Sequence, residues 1–278
     1  MDAVLIRPKL YIWKNSRLFV GLNHQPFRKY TLAWSQLLVS LKGSMKVKLE
    51  DGSVVETRSC MLKAGGVVNQ VDIDTRDAII AIYYFNPISQ DFYILEQQMQ
   101  RAKKYICFQH PEESNLVQQL QTILLETCSA SETYRLMDAV LLPEHLKGVT
   151  VKEFDPRILE TLQKIRETIS QNVSVSCYAE DVHLSESRLN KLFKNQIGIP
   201  ITKYRLQLRL SIGVILLAAG YSVTDAAYEA GFSSSAHFSR CFSDMIGVQP
   251  STPFLKPPFV EAFISDDVLN VIKKTSVN

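Results

Sequence analysis

The chain has 278 residues, which at roughly 150 residues per domain suggests about two domains. It is 46% hydrophobic and 21% charged, so it reads as a folded globular protein and excludes long disorder or a collagen-like repeat. No apolar run approaches the roughly 18 residues of a membrane span, and Met1-Asp2-Ala3-Val4 opens no basic-then-apolar leader, so a cytoplasmic chain with no membrane partner is expected. Five scattered cysteines, Cys60, Cys107, Cys128, Cys177 and Cys241, form no Cys-x-x-Cys pair and suit small core residues in a reducing compartment. A net charge of +3 is too small to assign a nucleic-acid partner by itself.

In chain order, strand signals come first. Gln36 to Leu41 is apolar and ends at Lys42-Gly43-Ser44. Met45 to Leu49 alternates with period two. Asp51-Gly52 offers two positive-φ positions for a tight hairpin turn before Val54 and Val55. Gly65-Gly66 marks another reversal before Val67 to Ile73, and Ala78 to Phe85 is a β-branched and aromatic run. Short strands at roughly ten-residue spacing predict a sandwich or barrel.

Helices follow. Leu116, Val117, Leu120, Ile123 and Leu124 share one helical face, and Tyr134 to Leu142 is a second apolar stretch closed by Pro143. Asp155-Pro156 supplies an N-cap and a first-turn proline, and Ile158, Leu159, Leu162, Ile165 and Ile169 form the stripe behind it. Beyond them the chain reads as helix to about Phe254. Pro257-Pro258 opens a tail in which Phe259 to Ile272 predicts a short helix.

The helical half contains a degenerate repeat. Ala179 pairs with Ala227, Leu184 with Phe232, Ser185 with Ser233, Lys191 with Arg240, and Phe193 with Phe242. A small residue admits a close second helix, and four residues later the chain must turn, which Gly231 does freely and His183 tolerably. Leu184 or Phe232 plugs the corner, and Ser185 or Ser233 caps the next helix. Leu189 and Phe193, or Phe238 and Phe242, face inward. The opposite face carries Ser187, Asn190, Lys191 and Lys194, or Ser234, Ser235, Ser239 and Arg240. That is the pattern of a helix-turn-helix, whose second helix enters a major groove with short polar and cationic side chains.

Charge supports this reading. Residues 185–209 hold Arg188, Lys191, Lys194, Lys203, Arg205 and Arg209 against the single acid Glu186, and this cluster is expected to contact phosphates. The predicted helix from Pro200 to Ala219, about 20 residues and roughly 30 Å, would space the two probes near one duplex turn.

Three stretches carry a family resemblance: Ala227 to Phe232, Ser235 to Phe242, and Ile246-Gly247-Val248-Gln249-Pro250. Lys191-Leu192-Phe193-Lys194 and Ile197-Gly198-Ile199-Pro200 echo them in the first unit. With these motifs the chain over about residues 155–254 resembles the AraC/XylS family of bacterial transcription regulators. The resemblance implies base-facing positions at Ser187, Asn190 and Lys191, and at Ser234, Ser235 and Ser239. Arg188, Lys194, His237 and Arg240 join them as DNA-contacting candidates. Lys191 stands where the family usually has Arg, which loses bidentate geometry, and Ser243 where Lys is common, which removes a phosphate contact; the second recognition helix is serine-rich, which implies weaker direct readout there and more reliance on DNA shape.

The first half resembles the cupin-like sensor of the same family. The expectation is therefore an α+β chain: a cupin-like β-barrel sensor over 1–100, a helical linker or dimerisation segment over 101–150, a DNA-binding domain with two helix-turn-helix units joined by a long helix over 151–254, and a tail over 255–278. Promoter DNA, RNA polymerase, a small-molecule effector and a homodimer mate are the partners this implies, with activation as the usual mode.

His24, Arg28 and Tyr30 lie close in sequence and are the candidates for an effector contact; a plain surface strand is the simpler account of them. Only His24 precedes residue 100, and His110, His145, His183 and His237 are scattered, so no metal site is expected. His237 is as well read as filler, and Trp13 and Trp34 as core. No nucleophile elbow, phosphate loop or dinucleotide fingerprint occurs, so neither enzymatic activity nor a cofactor is expected. The competing reading is a cupin-type small-molecule-binding protein or enzyme whose helical half is a protein-interaction module. Salt-dependent duplex binding separates the two.

Overall fold

A computed structural model describes residues 7–23, 34–49, 51–64, 71–74, 78–103, 105–246, 249–252 and 259–268. His24, Arg28, Tyr30 and Gly65-Gly66 lie outside them.

The N-terminal part is built from two sheets. The larger contains β1 (Lys9–Ile12), β2 (Ser16–Asn23), β3 (Ser35–Lys42), β6 (Ser59–Leu62), β8 (Ile79–Phe85), β9 (Gln100–Lys103), β10 (Ile106–Phe108) and β11 (Glu261–Ile264), in the order β11-β1-β2-β8-β3-β6-β10-β9. The smaller orders β5 (Val54–Thr57), β4 (Met45–Leu49) and β7 (Val71–Asp74). Among the described residues the strands of the expected cupin-like barrel divide between two sheets and do not close into one.

Burial explains why some strands alternate and others do not. Lys46 and Lys48 of β4 face solvent between buried Met45, Val47 and Leu49, which makes that strand legible. In β3 every residue from Ser35 to Leu41 is buried, because both faces of the large sheet are covered. Leu10, Ile12, Phe19, Leu38, Ile80 and Ile82 join a core shared with the C-terminal helices. Tyr11, Trp13, Leu18, Val39, Tyr83 and Phe85 lie under α1 (Gln90–Gln98), α2 (Glu113–Leu125) and α3 (Ala130–Leu141). The predicted face of α2 is the buried one, and Lys9 Nζ donates to the Ile123 and Glu126 carbonyls at its C-terminal end, where a cation is favoured.

Three expectations change. Gly52 has φ 83°, while Asp51 does not share it. Gly52 N–H donates to the Leu49 carbonyl and Leu49 N–H to the Ser53 carbonyl, so the loop is a turn closed by one left-handed glycine. The tail contributes a strand: β11 pairs in parallel with β1, and Phe263 stacks on Tyr11 with centroids 4.7 Å apart. The free edge of β1 supplies hydrogen bonds that an isolated short helix lacks. Of the cysteines, Cys60 and Cys107 are buried but Cys177 is exposed.

The C-terminal part is helical: α4 (Pro156–Glu167), α5 (Val175–Asp181), α6 (Glu186–Ile197), α7 (Ile201–Ala218), α8 (Val223–Glu229) and α9 (Ser235–Ile246). The Asp155 side chain caps α4 by accepting from Arg157 N–H at 3.0 Å. Helix α7 docks on the sheet through Arg17 of β2, whose Nη1 donates to Ser211 Oγ at 2.8 Å while its guanidinium lies 4.7 Å from the Trp34 ring centroid. Burial pushes the Arg17 guanidinium down to about 10, which still leaves it charged at neutral pH.

Candidate nucleic-acid interface

The two corners predicted from the repeat share one backbone construction. After α5, Leu184 N–H donates to the Ala179 carbonyl at 2.9 Å with His183 at φ 54°. After α8, Phe232 N–H donates to the Ala227 carbonyl at 2.9 Å with Gly231 at φ 81°. Each is a left-handed residue closing a helix by a six-to-one bond. Ala179 and Ala227 are both buried, as close helix approach requires.

The caps differ by one residue from the expected register. Ser185 caps α6, accepting from Arg188 N–H at 3.4 Å. In the second unit the cap is Ser234, which accepts from His237 N–H at 3.2 Å, while Ser233 is an extra corner residue. With Ser185 matched to Ser234, Leu189 falls on Phe238, Lys191 on Arg240 and Phe193 on Phe242 without a gap. The Ser234 hydroxyl is therefore engaged in its own helix.

Both second helices bury one face and expose the other. Leu189, Phe193 and Ile197 of α6 and Phe238 and Phe242 of α9 are sealed inside. Ser187, Arg188, Lys191 and Lys194 are exposed on α6, with Asn190 half-buried. His237 and Arg240 are exposed on α9, with Ser235 and Ser239 half-buried. The His237 ring meets Phe232 edge-on at 5.5 Å, so it packs the corner while remaining accessible. Ser243 Oγ donates back to the Ser239 carbonyl at 2.9 Å and is occupied within the helix.

Helix α7 carries both units. Phe193 meets Tyr204 edge-on at 5.5 Å. A Cβ built on Gly213 would fall 2.5 Å from Phe238 Cε2, so the missing side chain is what admits α9. Positions 204 and 213 are nine residues apart, about 14 Å along the axis and half a turn around it. The units therefore flank α7 on opposite faces, and their spacing comes from these two docking points rather than from its full length.

The basic cluster divides by role. Arg205 and Arg209, expected at phosphates, turn inward. Arg205 donates to the carbonyls of Val173 and Gln171, and Arg209 to Ile169 and Gln171 at 2.8 and 2.9 Å. They hold the 169–173 loop, and Gly231 sits against the same loop, where a Cβ would come 3.1 Å from Ser170 Cα and 3.2 Å from Arg209 Nε. Arg188 and Lys191 line an open hollow of about 330 Å³ with Arg157 and Asn195. Arg157 was missed as a groove residue; it is tied to Asp155 at 2.6 Å, and this partner holds the Asp155 carboxyl down at about 2. Lys203, exposed on α7, acts with Arg240 on the Cys241 thiol, which burial nonetheless raises. Lys194 faces a different cavity, between α6 and the sheet. Among the described residues no group of three His, Cys, Asp or Glu is placed to hold a metal, and no helix is long and apolar enough to cross a membrane.

Residues 178–254 match the family model of a helix-turn-helix domain. Over 99 residues the chain is 32% identical to the arabinose operon regulatory protein of Escherichia coli (strain K12), covering 35% of this chain and 34% of that protein, so it spans only about a third of that relative's length. Over this C-terminal stretch the chain is similar to regulators of the AraC/XylS family. Another relative, the HTH-type transcriptional activator RhaR of Pectobacterium atrosepticum, is 22% identical over 243 residues, covering 83% of this chain and 84% of its own. The solved structure of an apo ToxT variant from Vibrio cholerae superposes with a TM-score of 0.55 at 16% identity, covering 88% of this chain and 94% of that one. That likeness is one of fold, and it spans the sheet half as well as the helices. These relatives are regulators rather than enzymes.

Proposed function

We propose that this chain is a sequence-specific DNA-binding transcription regulator of the AraC/XylS family, acting as an activator under control of a signal at its N-terminal domain. The observation that carries the reading is the duplicated corner, each copy presenting an exposed polar helix face, rich in cations on α6 and carrying Arg240 on α9. In α6, Ser187, Asn190 and Lys191 would read base edges and Arg188 would hold phosphate. In α9, Ser235, Ser239 and Arg240 would face the groove, with His237 at its edge and Ser234 acting mainly as cap. Activation accords with the name of RhaR and would require a contact with RNA polymerase. A ToxT structure is described as bound to unsaturated fatty acid; by fold analogy a small effector, bound between sheet and helices, would set the orientation of the two probes here. The unit boundaries 1–100, 101–150, 151–254 and 255–278 divide these roles, with α2 and α3 as the segment for a homodimer.

Counterion release supplies the test. If the positive charges of Arg188, Lys191, Lys203 and Arg240 together neutralise about four phosphates, the slope is about −3.6 in log affinity against log salt, or roughly a hundredfold loss between about 50 and 200 mM. Affinity for duplex that ignores salt, with the fold intact, would overturn the reading in favour of a small-molecule-binding protein with an interaction module.

A further inference from the structure

We propose that the cavity between β6, α1 and the C-terminal end of α6 binds a small organic anion with a flat apolar body, and that the ligand ties the sheet to the first recognition helix. The cavity measures about 350 Å³, enough for one ring and a charged head. Its floor includes Phe92 and Tyr93, both buried. Lys63, Lys152 and Lys194 converge on it from three separate parts of the chain.

The charge is unbalanced. Lys63 pairs with Glu96 at 2.6 Å, and Arg101 shares that same carboxylate at 3.0 Å. Among the described residues no acid stands within ion-pair distance of Lys152 or Lys194. Lys152 Nζ lies 4.4 Å from the Tyr93 ring centroid and donates to Tyr93 Oη at 2.9 Å and to the Gln196 carbonyl at 2.8 Å, which leaves one ammonium hydrogen for a ligand. Burial, with Lys63 nearby, lowers the Lys152 pKa, and a bound anion would favour its charged form. A carboxylate or phosphate monoester bridging Lys152 and Lys194, its ring on the aromatic floor, satisfies both the charge and the apolar surface.

The site also faces the DNA side. Lys194 and Asn195 are consecutive on α6, and Asn195 lines both this cavity and the Arg188–Lys191 hollow. Lys152 grips the Gln196 carbonyl, and Gln196 Oε1 in turn accepts from Asp155 N–H at 2.9 Å. An anion held by Lys152 and Lys194 therefore fastens the end of α6. Its consequence for DNA rests on the regulatory reading above; its binding does not.

Calorimetric titration of the full chain with benzoate, phenyl phosphate and benzamide tests the site. Saturable binding of benzoate or phenyl phosphate is expected, with the tighter of the two identifying the head group, and none of neutral benzamide. Lys152→Met should weaken binding about tenfold or more, Lys194→Gln by a smaller factor, and Lys46→Gln, on the far exposed strand, not at all. Should Lys152→Met fail to fold, exposed Lys194→Gln carries the test. Equal affinity for benzamide, unchanged affinity in the lysine variants, or no saturable anion binding would each overturn the site. If the anion binds but leaves operator affinity unmoved in a chain that does bind duplex, the coupling falls and the site stands. Absence of duplex binding altogether overturns only the regulatory reading.

Discussion

The two helix-turn-helix units reach one geometry through different chemistry. Both corners place a left-handed residue before an apolar plug, but the first uses His183 at φ 54° and the second Gly231 at φ 81°. The first unit packs into a core of its own with α4, around Ile158, Leu162, Leu189 and Phe193, and reaches Trp34 of the sheet half. The second belongs to the same core as the inner sheet face, through Leu217, Phe232 and Phe238. Cations are concentrated on the first probe, Arg188, Lys191 and Lys194, against Arg240 on the second. Duplication has thus kept the backbone while dividing the labour: the first unit supplies charge, and the second supplies rigid attachment to the rest of the molecule.

The largest effect should come from breaking the tighter corner. Gly231→Val forces a β-branched residue to positive φ and drives a Cβ toward the Ser170 backbone, 3.1 Å away. A loss of about 3 kcal/mol or more is expected in denaturant unfolding. The matching change, His183→Gly, relieves strain at an exposed position and should leave stability unchanged or raise it by up to about 1 kcal/mol. Equal behaviour of the two variants would show that the corners are not asymmetric.

Gly213→Ala tests the attachment of the second unit. Its new methyl would stand 2.5 Å from a ring with no free space, since Phe238 is fully buried. Overpacking of this kind costs about 1–3 kcal/mol. The expected signature is a lowered Tm together with weakened operator binding; a wild-type Tm would mean that α9 moves aside freely.

How far the sequence revealed this follows the physics of each element. Strand β4 was legible because one of its faces is wet, and α2 because its stripe is narrow and one-sided. Strands β1 and β10 were not read, because three or four consecutive buried residues carry no period, and neither was β9, a four-residue strand that opens on exposed Gln100 and Arg101. The tail strand was read as helix, because only the edge of β1, supplied from the far end of the chain, makes Glu261–Ile264 extended. Both corners were visible in the spacing of small, turning, apolar and capping residues. The extra Ser233 was not, since two adjacent serines are equally good caps until a backbone shows which one accepts. Arg205 and Arg209 illustrate the limit for charge. A cation on a helix looks the same in sequence whether it meets phosphate or, as here, the open carbonyls of a loop.

Removing one probe cation at a time comes next in size. Lys191→Ala and Arg240→Ala should each weaken operator binding by about 1–3 kcal/mol without lowering Tm, because both side chains are exposed. With more cations remaining on α6, the Lys191 variant should keep a steeper dependence on salt than one in which Arg188 is removed as well. Two variants with unchanged affinity would place the protein–DNA contacts elsewhere.

The smallest effect sharpens the comparison most. Lys191 and Arg240 occupy the same place after their caps, six residues beyond Ser185 and Ser234. An ammonium contacts phosphate or a base edge as a point charge, whereas a guanidinium holds a guanine edge with two parallel bonds. If the first probe works mainly through charge, Lys191→Arg should tighten the operator by no more than about 1 kcal/mol and leave the salt slope alone, since the number of charges is unchanged. If the single cation of the second probe reads a base, Arg240→Lys should loosen the operator by a similar amount and relax preference at one base pair, again with the slope fixed. Measured by titration of operator and single-base variants, a reciprocal change in specificity at constant slope assigns charge to the first unit and readout to the second. A change of slope in either swap would show that the substitution altered how many phosphates are held, and the division of labour between the units would have to be redrawn.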